Sequence, residues 1–191
     1  VTRLLEREMV RTANGLSRDD KEGLEKVLAS TEPKVLNRVI NLETGSVACE
    51  AGFKMMLARF YRLDKSFQEA KYEGKIPVFL VNGDIDGGIE ANYHGTSILA
   101  QTFRNLWPGY YEKAEKAGLY KIVPVMLNDI DDFRAKIEKY NTGDYKTAGY
   151  IHEIVLMNYG GIRLTREYLQ EAYKLCAEYD TPTMDDEIQS C

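Results

Sequence analysis

The stretch Gly149 to Gln189, GYIHEIVLMNYGGIRLTREYLQEAYKLCAEYDTPTMDDEIQ, decides how the chain folds. It reads as an apolar strand from Tyr150 to Leu156, a Gly160-Gly161 turn, an amphipathic helix from Thr165 to Tyr179 and a second strand ending in Asp185-Asp186-Glu187. A strand, a crossover helix and a strand of this length make a βαβ unit, whose two strands run parallel. Parallel strands leave their ligand sites at their carboxyl ends. Two polar clusters fall there, Asn158-Tyr159-Gly160-Gly161 and Asp186-Glu187-Ile188-Gln189.

Working outward, the same alternation recurs. Lys75 to Val81 reads as a buried strand around Val78-Phe79-Leu80-Val81, and Tyr120 to Leu127 as another. A run from Val47 to Arg62, capped by Thr44 or Ser46, predicts a helix, and so does Asp129 to Tyr140, capped by Asn128 or Asp129. Ser97 to Leu106 suits a helix that Trp107-Pro108-Gly109 ends. The first 28 residues suit two short helices split at Asn14-Gly15-Leu16-Ser17, and Val35 to Leu42 takes no assignment. Strands alternating with helices predict an α/β, three-layer fold, a mostly parallel sheet with helices on both faces. The expected division is an N-terminal helical segment, residues 1–40, and a large domain, residues 41–191.

Composition narrows the function. The 191 residues are 44% hydrophobic and 29% charged, enough for a real core. A net charge of -5, with both signs mixed along the chain, offers no basic face, so nucleic acid is not an expected partner. The longest apolar runs are strand-sized and no charged leader with an apolar core opens the sequence, so the expectation is a soluble cytoplasmic protein off the membrane. Three scattered cysteines, Cys49, Cys176 and Cys191, form no disulfide framework. With two histidines and no paired Cys/His spacing, no metal site is expected.

Several short segments could carry chemistry. Thr44-Gly45-Ser46 opens a helix, where unpaired backbone N–H groups and the helix dipole suit a phosphate, although a plain N-cap explains the same residues. Asp186 closes a strand and could hold a ligand cation, or simply be solvated. Tyr93-His94-Gly95 sets an aromatic face beside a titratable ring, and His152 reads as a core histidine. The acidic loop Asn82 to Gly87 matches the start of a calcium loop but has Tyr93 where the closing Glu belongs. Neither a phosphate-binding G-x-x-x-x-G-K-[ST] nor a hydrolase G-x-S-x-G occurs.

In order and approximate spacing these segments resemble the class III aminotransferases and the glutamate-1-semialdehyde aminomutase-like enzymes, pyridoxal-phosphate enzymes of fold type I. Gly45-Ser46-Val47-Ala48-Cys49-Glu50-Ala51 is similar to their glycine-serine-acid-alanine helix start, and Tyr93-His94-Gly95-Thr96 to their aromatic-His-Gly turn. Glu153 to Gly161 is similar to their Glu-Pro strand and glycine turn, and Asp186-Glu187-Ile188-Gln189 to their Asp-Glu-Val-Gln strand end. Val47 stands where the family has an acid, and Ile154 where it has proline.

The resemblance implies roles. Asp186 would pair with the protonated ring nitrogen of pyridoxal 5'-phosphate, as the catalytic carboxylate. Gly45, Ser46 and Val47 would take the phosphate, Tyr93 and Ile188 the two ring faces, and His94 would lie beside the ring. Asn158 would lie near the ring oxygen, as in the aminomutase-like branch. The family's cofactor-anchoring lysine should follow Gln189 by a few tens of residues, and the chain as given ends before it, so it should not complete a transfer alone. A homodimer using a small amine and a small keto compound is implied. The competing reading is a non-catalytic α/β module that binds a phosphorylated small molecule or a protein partner.

Overall fold

The computed structural model describes Ile40 and residues 42–190. The two N-terminal helices expected within the first 28 residues lie outside that range, as does nearly all of the Val35 to Leu42 segment. Helix α1 spans Gly45–Leu57. Its Val47 N–H donates to Thr44 Oγ1 at 3.2 Å, so Thr44 is the residue that caps it. The helix opens two residues before the expected Val47 and ends at Leu57, five residues short of the expected Arg62.

From Cys49 onward the chain forms one unit. Its strands are β1 (Ile76–Asn82), β2 (Lys121–Val125), β3 (Tyr145–His152) and β6 (Thr183–Asp185), and they pair in parallel in the order β2-β1-β3-β6. Between them come α2 (Ile98–Thr102), α3 (Pro108–Lys116), α4 (Ile130–Lys139) and α5 (Arg166–Glu178). A small antiparallel pair, β4 (Val155–Leu156) and β5 (Ile162–Arg163), is joined through a single 3-10 turn and Gly160-Gly161, whose φ angles are 79° and 74°. Positive φ at two successive residues is why two glycines stand there.

Alternation along each strand builds two cores, because successive side chains point to opposite faces. Val78, Leu80, Val123, Val125 and Tyr150 pack with Phe133 and Ile137 of α4 and with Tyr168, Ala172 and Leu175 of α5. Phe79, Val81, Ile122, Ala148 and Ile151 pack with Phe53 and Met56 of α1, Ala100 of α2 and Ala114 of α3. Phe53 meets Phe103 edge-on at 5.2 Å between ring centroids, and both rings are buried. Each such ring contributes about 2–3 kcal/mol by burial. Helices therefore cover both faces of a parallel sheet, the three-layer α/β fold expected.

Three expectations need correction. The strand placed at Tyr150 to Leu156 runs instead from Tyr145 to His152, and Val155–Leu156 belongs to the separate hairpin. The strand includes Gly149. A Cβ there would meet Met56 Sδ at 2.4 Å, so glycine lets α1 lie close on the sheet. Second, the helix opened at Ser97 lasts only to Thr102. Third, Trp107-Pro108-Gly109 does not just stop a helix: Pro108 starts α3, with its preset φ suited to a first helical turn, after Trp107 turns the chain at φ 59°.

Candidate functional site

Asp186 follows the last residue of β6, and its backbone N–H donates to His152 O at 2.9 Å, continuing the ladder with β3. That register sets the carboxylate at the carboxyl end of the sheet. A second element reaches it from β1. The N–H of Asn82 donates to Asn92 Oδ1 at 2.9 Å while Asn92 Nδ2 donates back to Asn82 O, a buried clamp that closes the loop 82–92. Tyr150 OH donates to Asn82 Oδ1 at 2.9 Å and fixes the first asparagine to β3. Tyr93 and His94 emerge from the clamp, and His94 Nδ1 comes to 3.1 Å from Asp186 Oδ2. Cys49, on α1, donates its thiol to the same oxygen at 3.6 Å. Ile188 N–H donates to Asp186 Oδ1 at 3.2 Å, so both carboxylate oxygens are held.

The electrostatics follow from these contacts. Burial pushes the Asp186 pKa up, but hydrogen bonds from His94, Ile188 and Cys49 and the charge of His94 outweigh it, leaving the group below the usual carboxylate range. With Asp186 ionised, His94 Nδ1 carries the proton it donates. Burial first, then the neighbouring Asp186, pushes the Cys49 thiol up to about 12, so it stays a thiol in the free protein. Glu153, one residue past β3, is 1% exposed, and no side-chain donor reaches either carboxyl oxygen; only the Tyr93 backbone N–H acts on it. Burial and then the charge of Asp186 raise it to about 7. Asp185 is raised to about 6, by burial and then by Glu187 and Asp186. More negative groups meet here than the local cations balance; the nearest cationic influence on Glu153 is Arg104, whose guanidinium lies over the Tyr93 ring at 4.7 Å.

Of the residues singled out in the sequence, Asp186, His94 and Tyr93 are thus neighbours. Ile188 contributes its backbone N–H, while its side chain is 66% exposed. Asn158 sits exposed in the 3-10 turn Met157–Tyr159. Gly45, Ser46 and Val47 form the first turn of α1. His152 is buried as expected, but half satisfied: Tyr173 OH lies 2.9 Å from Nε2, while Nδ1 has no partner within hydrogen-bonding geometry, though Asp185 Oδ1 is 3.4 Å away. Asp84 accepts from the N–H groups of Asp86 and Gly88, so its carboxylate builds its own turn. Sequence reasoning missed Cys49, Glu153, Arg104 and the Asn82–Asn92 clamp. Paired asparagines at both ends of a loop were the one local signal available.

No protein-family model matches the chain. Over 172 residues it is 28% identical to the adenosylmethionine-8-amino-7-oxononanoate aminotransferase of Buchnera aphidicola subsp. Acyrthosiphon pisum, a match covering 84% of this chain and 36% of that protein. The chain spans about a third of the length of the curated relatives it matches. Among solved structures, a transaminase from the marine bacterium Virgibacillus superposes with a TM-score of 0.61 at 18% identity, covering 98% of this chain and 41% of that one. The PMP-bound aminotransferase from Vibrio fluvialis gives 0.58 at 20% identity, covering 91% of this chain and 38% of that one. The architecture is that of the fold type I transaminases, and the sequence relatives are aminotransferases.

Proposed function

We propose that this chain is the cofactor-binding part of a pyridoxal-phosphate-dependent aminotransferase or aminomutase, moving an amino group to or within a small carbonyl compound. The observation that carries the reading is the state of Asp186. A half-buried residue whose side chain is 13% exposed stays ionised because His94, Cys49 and the Ile188 amide donate to it, in a corner with surplus negative charge. A protonated pyridine nitrogen is the cationic, flat partner such a carboxylate suits. Bound there, the cofactor supplies an electron sink for the charge left when a proton leaves the amino carbon.

The chain's own residues would do the following. Asp186 holds the proton on the ring nitrogen, and His94 keeps its carboxylate turned toward that atom. Tyr93, backed by Arg104, covers one ring face, and Ile188 the other. Gly45, Ser46 and Val47 offer backbone N–H groups to the phosphate, and Asn158 approaches the ring oxygen. The anchoring lysine and the groups that choose the substrate belong to other parts of the whole protein, which works as a cytoplasmic homodimer in this reading. Residues 41–191 are the large-domain portion of it.

The test is cofactor affinity in the protein that carries this chain, read by titration with pyridoxal phosphate. D186N removes the charge that faces the ring nitrogen and should weaken binding on the order of 100-fold, the cost of truncating one side of a buried, hydrogen-bonded charge pair. Unchanged affinity in D186N would overturn the reading and leave the non-catalytic module.

A further inference from the structure

Three potential metal ligands meet at the Asp186 carboxylate, although they stand far apart in sequence. One ligand atom each from Cys49, His94 and Asp186 lies within 4.8 Å of the other two. Cys49 Sγ lies 3.6 Å from Asp186 Oδ2, and His94 Nδ1 lies 3.1 Å from the same oxygen. Zinc bonds of about 2.0–2.3 Å at tetrahedral angles put neighbouring ligand atoms about 3.4–3.6 Å apart. Both separations to Asp186 lie within a few tenths of an ångström of that spacing, and the Cys49–His94 separation, within 4.8 Å, would close on the ion. Cys49 and His94 are buried, which suits a cation that prefers sulfur and nitrogen to water.

A second observation points the same way. Glu153 is buried near this group with no side-chain donor on either carboxyl oxygen, and Asp185 Oδ1 is likewise buried without one. Arg104 is held over Tyr93, leaving the corner short of positive charge. His94 Nε2 is also buried without a partner.

We infer that Cys49, His94 and Asp186 form a three-ligand site for a thiophilic divalent cation of the zinc class, with a fourth position open. On binding, the cation takes a lone pair from Cys49 sulfur, from His94 Nδ1 and from Asp186 Oδ2. The thiol proton leaves to solvent, and His94 ligates through Nδ1 with its ring proton on Nε2, so binding releases protons. No electron changes hands. Because the ion uses the oxygen that holds His94 and Cys49 in the free protein, it excludes a cationic ring from Asp186. This exclusion rests on the cofactor reading above; ion binding does not.

The experiment is a titration of the cofactor-free, reduced protein with Co2+ alone, followed by visible and near-ultraviolet absorption. The expected result is the intense visible absorption of a four-coordinate cobalt ion with a cobalt–thiolate charge-transfer band, both displaced by Zn2+. C49A should abolish the charge-transfer band, and H94Q should weaken the ion on the order of 10–100-fold or more, since even outer-shell partners are worth that much. Absence of the thiolate band in the unsubstituted protein overturns the site, whatever the variants' folding. It leaves the cofactor reading intact, because that is judged by pyridoxal phosphate binding in D186N. Saturating pyridoxal phosphate should suppress the cobalt spectrum; an unaltered spectrum in protein shown to hold the cofactor overturns the exclusion.

Discussion

The two ends of the parallel sheet treat a carboxylate in opposite ways. At the amino end, Asp180, just before β6, receives Arg59 Nη2 and Lys71 Nζ, each at 2.5 Å, and the hydroxyl of Tyr72. Arg59 also donates to the Asp180 carbonyl, and Lys146 Nζ, from the second residue of β3, donates to Tyr179 O at 2.7 Å. The Asp180 carboxylate and the Tyr179 and Asp180 carbonyls each have a donor, and three cations, Arg59, Lys71 and Lys146, meet this one carboxylate's loop. At the carboxyl end, Glu153 is buried with no side-chain donor and Asp185 Oδ1 likewise has none, with anions in surplus. The first end fastens loops together. The second keeps unbalanced charge in place, at a cost to stability that a ligand cation would offset.

Glu153 gives the largest test of that contrast. Its carboxyl is raised from 4.5 to about 7, by burial and then by Asp186. Between those values the folded protein keeps a proton that the unfolded chain has released, so stability falls as pH rises from about 4.5 to 7 and stays at the lower level above. The fall is on the order of 3 kcal/mol. E153Q removes the titration, so it should flatten this part of the profile and make the protein more stable than the parent at pH 8. Asp185, raised to about 6, adds a slope of the same sign to both proteins, and their difference isolates Glu153. Urea unfolding at pH 5 and pH 8 measures it. An unchanged slope in E153Q would mean that the carboxyl end is not strained at this residue.

How much of this contrast could be read beforehand depends on sequence distance. The strand cores around Val78-Phe79-Leu80-Val81 and Tyr120 to Leu127 announce themselves, because buried parallel strands are continuous apolar runs. Capped helices do too: Thr165 and Asp129 accept from the N–H groups of Tyr168 and Asp132, as their positions suggest. The start of β3 was hidden by polar Tyr145-Lys146-Thr147 and by Gly149, whose meaning lies in Met56 across the layer. The partners of Asp186 were hidden more deeply. Cys49 is 137 residues away and His94 is 92, and no local pattern marks a contact made only by the crossing of α1, the loop after β1 and the end of β6. Asp186 itself was legible through its strand-end position and the family resemblance.

At the amino end the sign of the pH effect reverses. Hydrogen bonds from Lys71 and Tyr72, with the charge of Arg59, hold Asp180 at about 2, below its ordinary 3.8. The contribution is therefore complete above the ordinary value and is lost as pH falls toward 2. Half of the side chain is exposed, so water screens the pair and the loss in D180N should be about 1 kcal/mol. Asparagine keeps the left-handed backbone at φ 47° accessible, which separates the lost charge from backbone strain. Thermal unfolding at pH 7 checks the loss, with pyridoxal phosphate affinity unaltered. If D180N instead weakened the cofactor as D186N does, the two ends would not be separate devices.

The smallest effect concerns Lys146. Burial first, and then the charge of Arg59, pushes its ammonium down from 10.5 to about 8, while Asp180 pushes it back up. Between those values the unfolded chain holds a proton that the folded protein lacks, so stability should rise with pH through this window. Partial exposure limits the rise to on the order of 0.5 kcal/mol. K146M keeps an apolar stem against Tyr72, where the ammonium now lies 5.0 Å from the ring centroid, and should abolish the rise. The coupling with Asp180 sharpens the measurement. In D180N the opposing charge is gone and Lys146 should lose its proton at lower pH, moving the alkaline rise toward neutrality. A rise that stays where it is in D180N would show that Lys146 and Asp180 answer to water separately, and the amino end would then be two contacts rather than one latch.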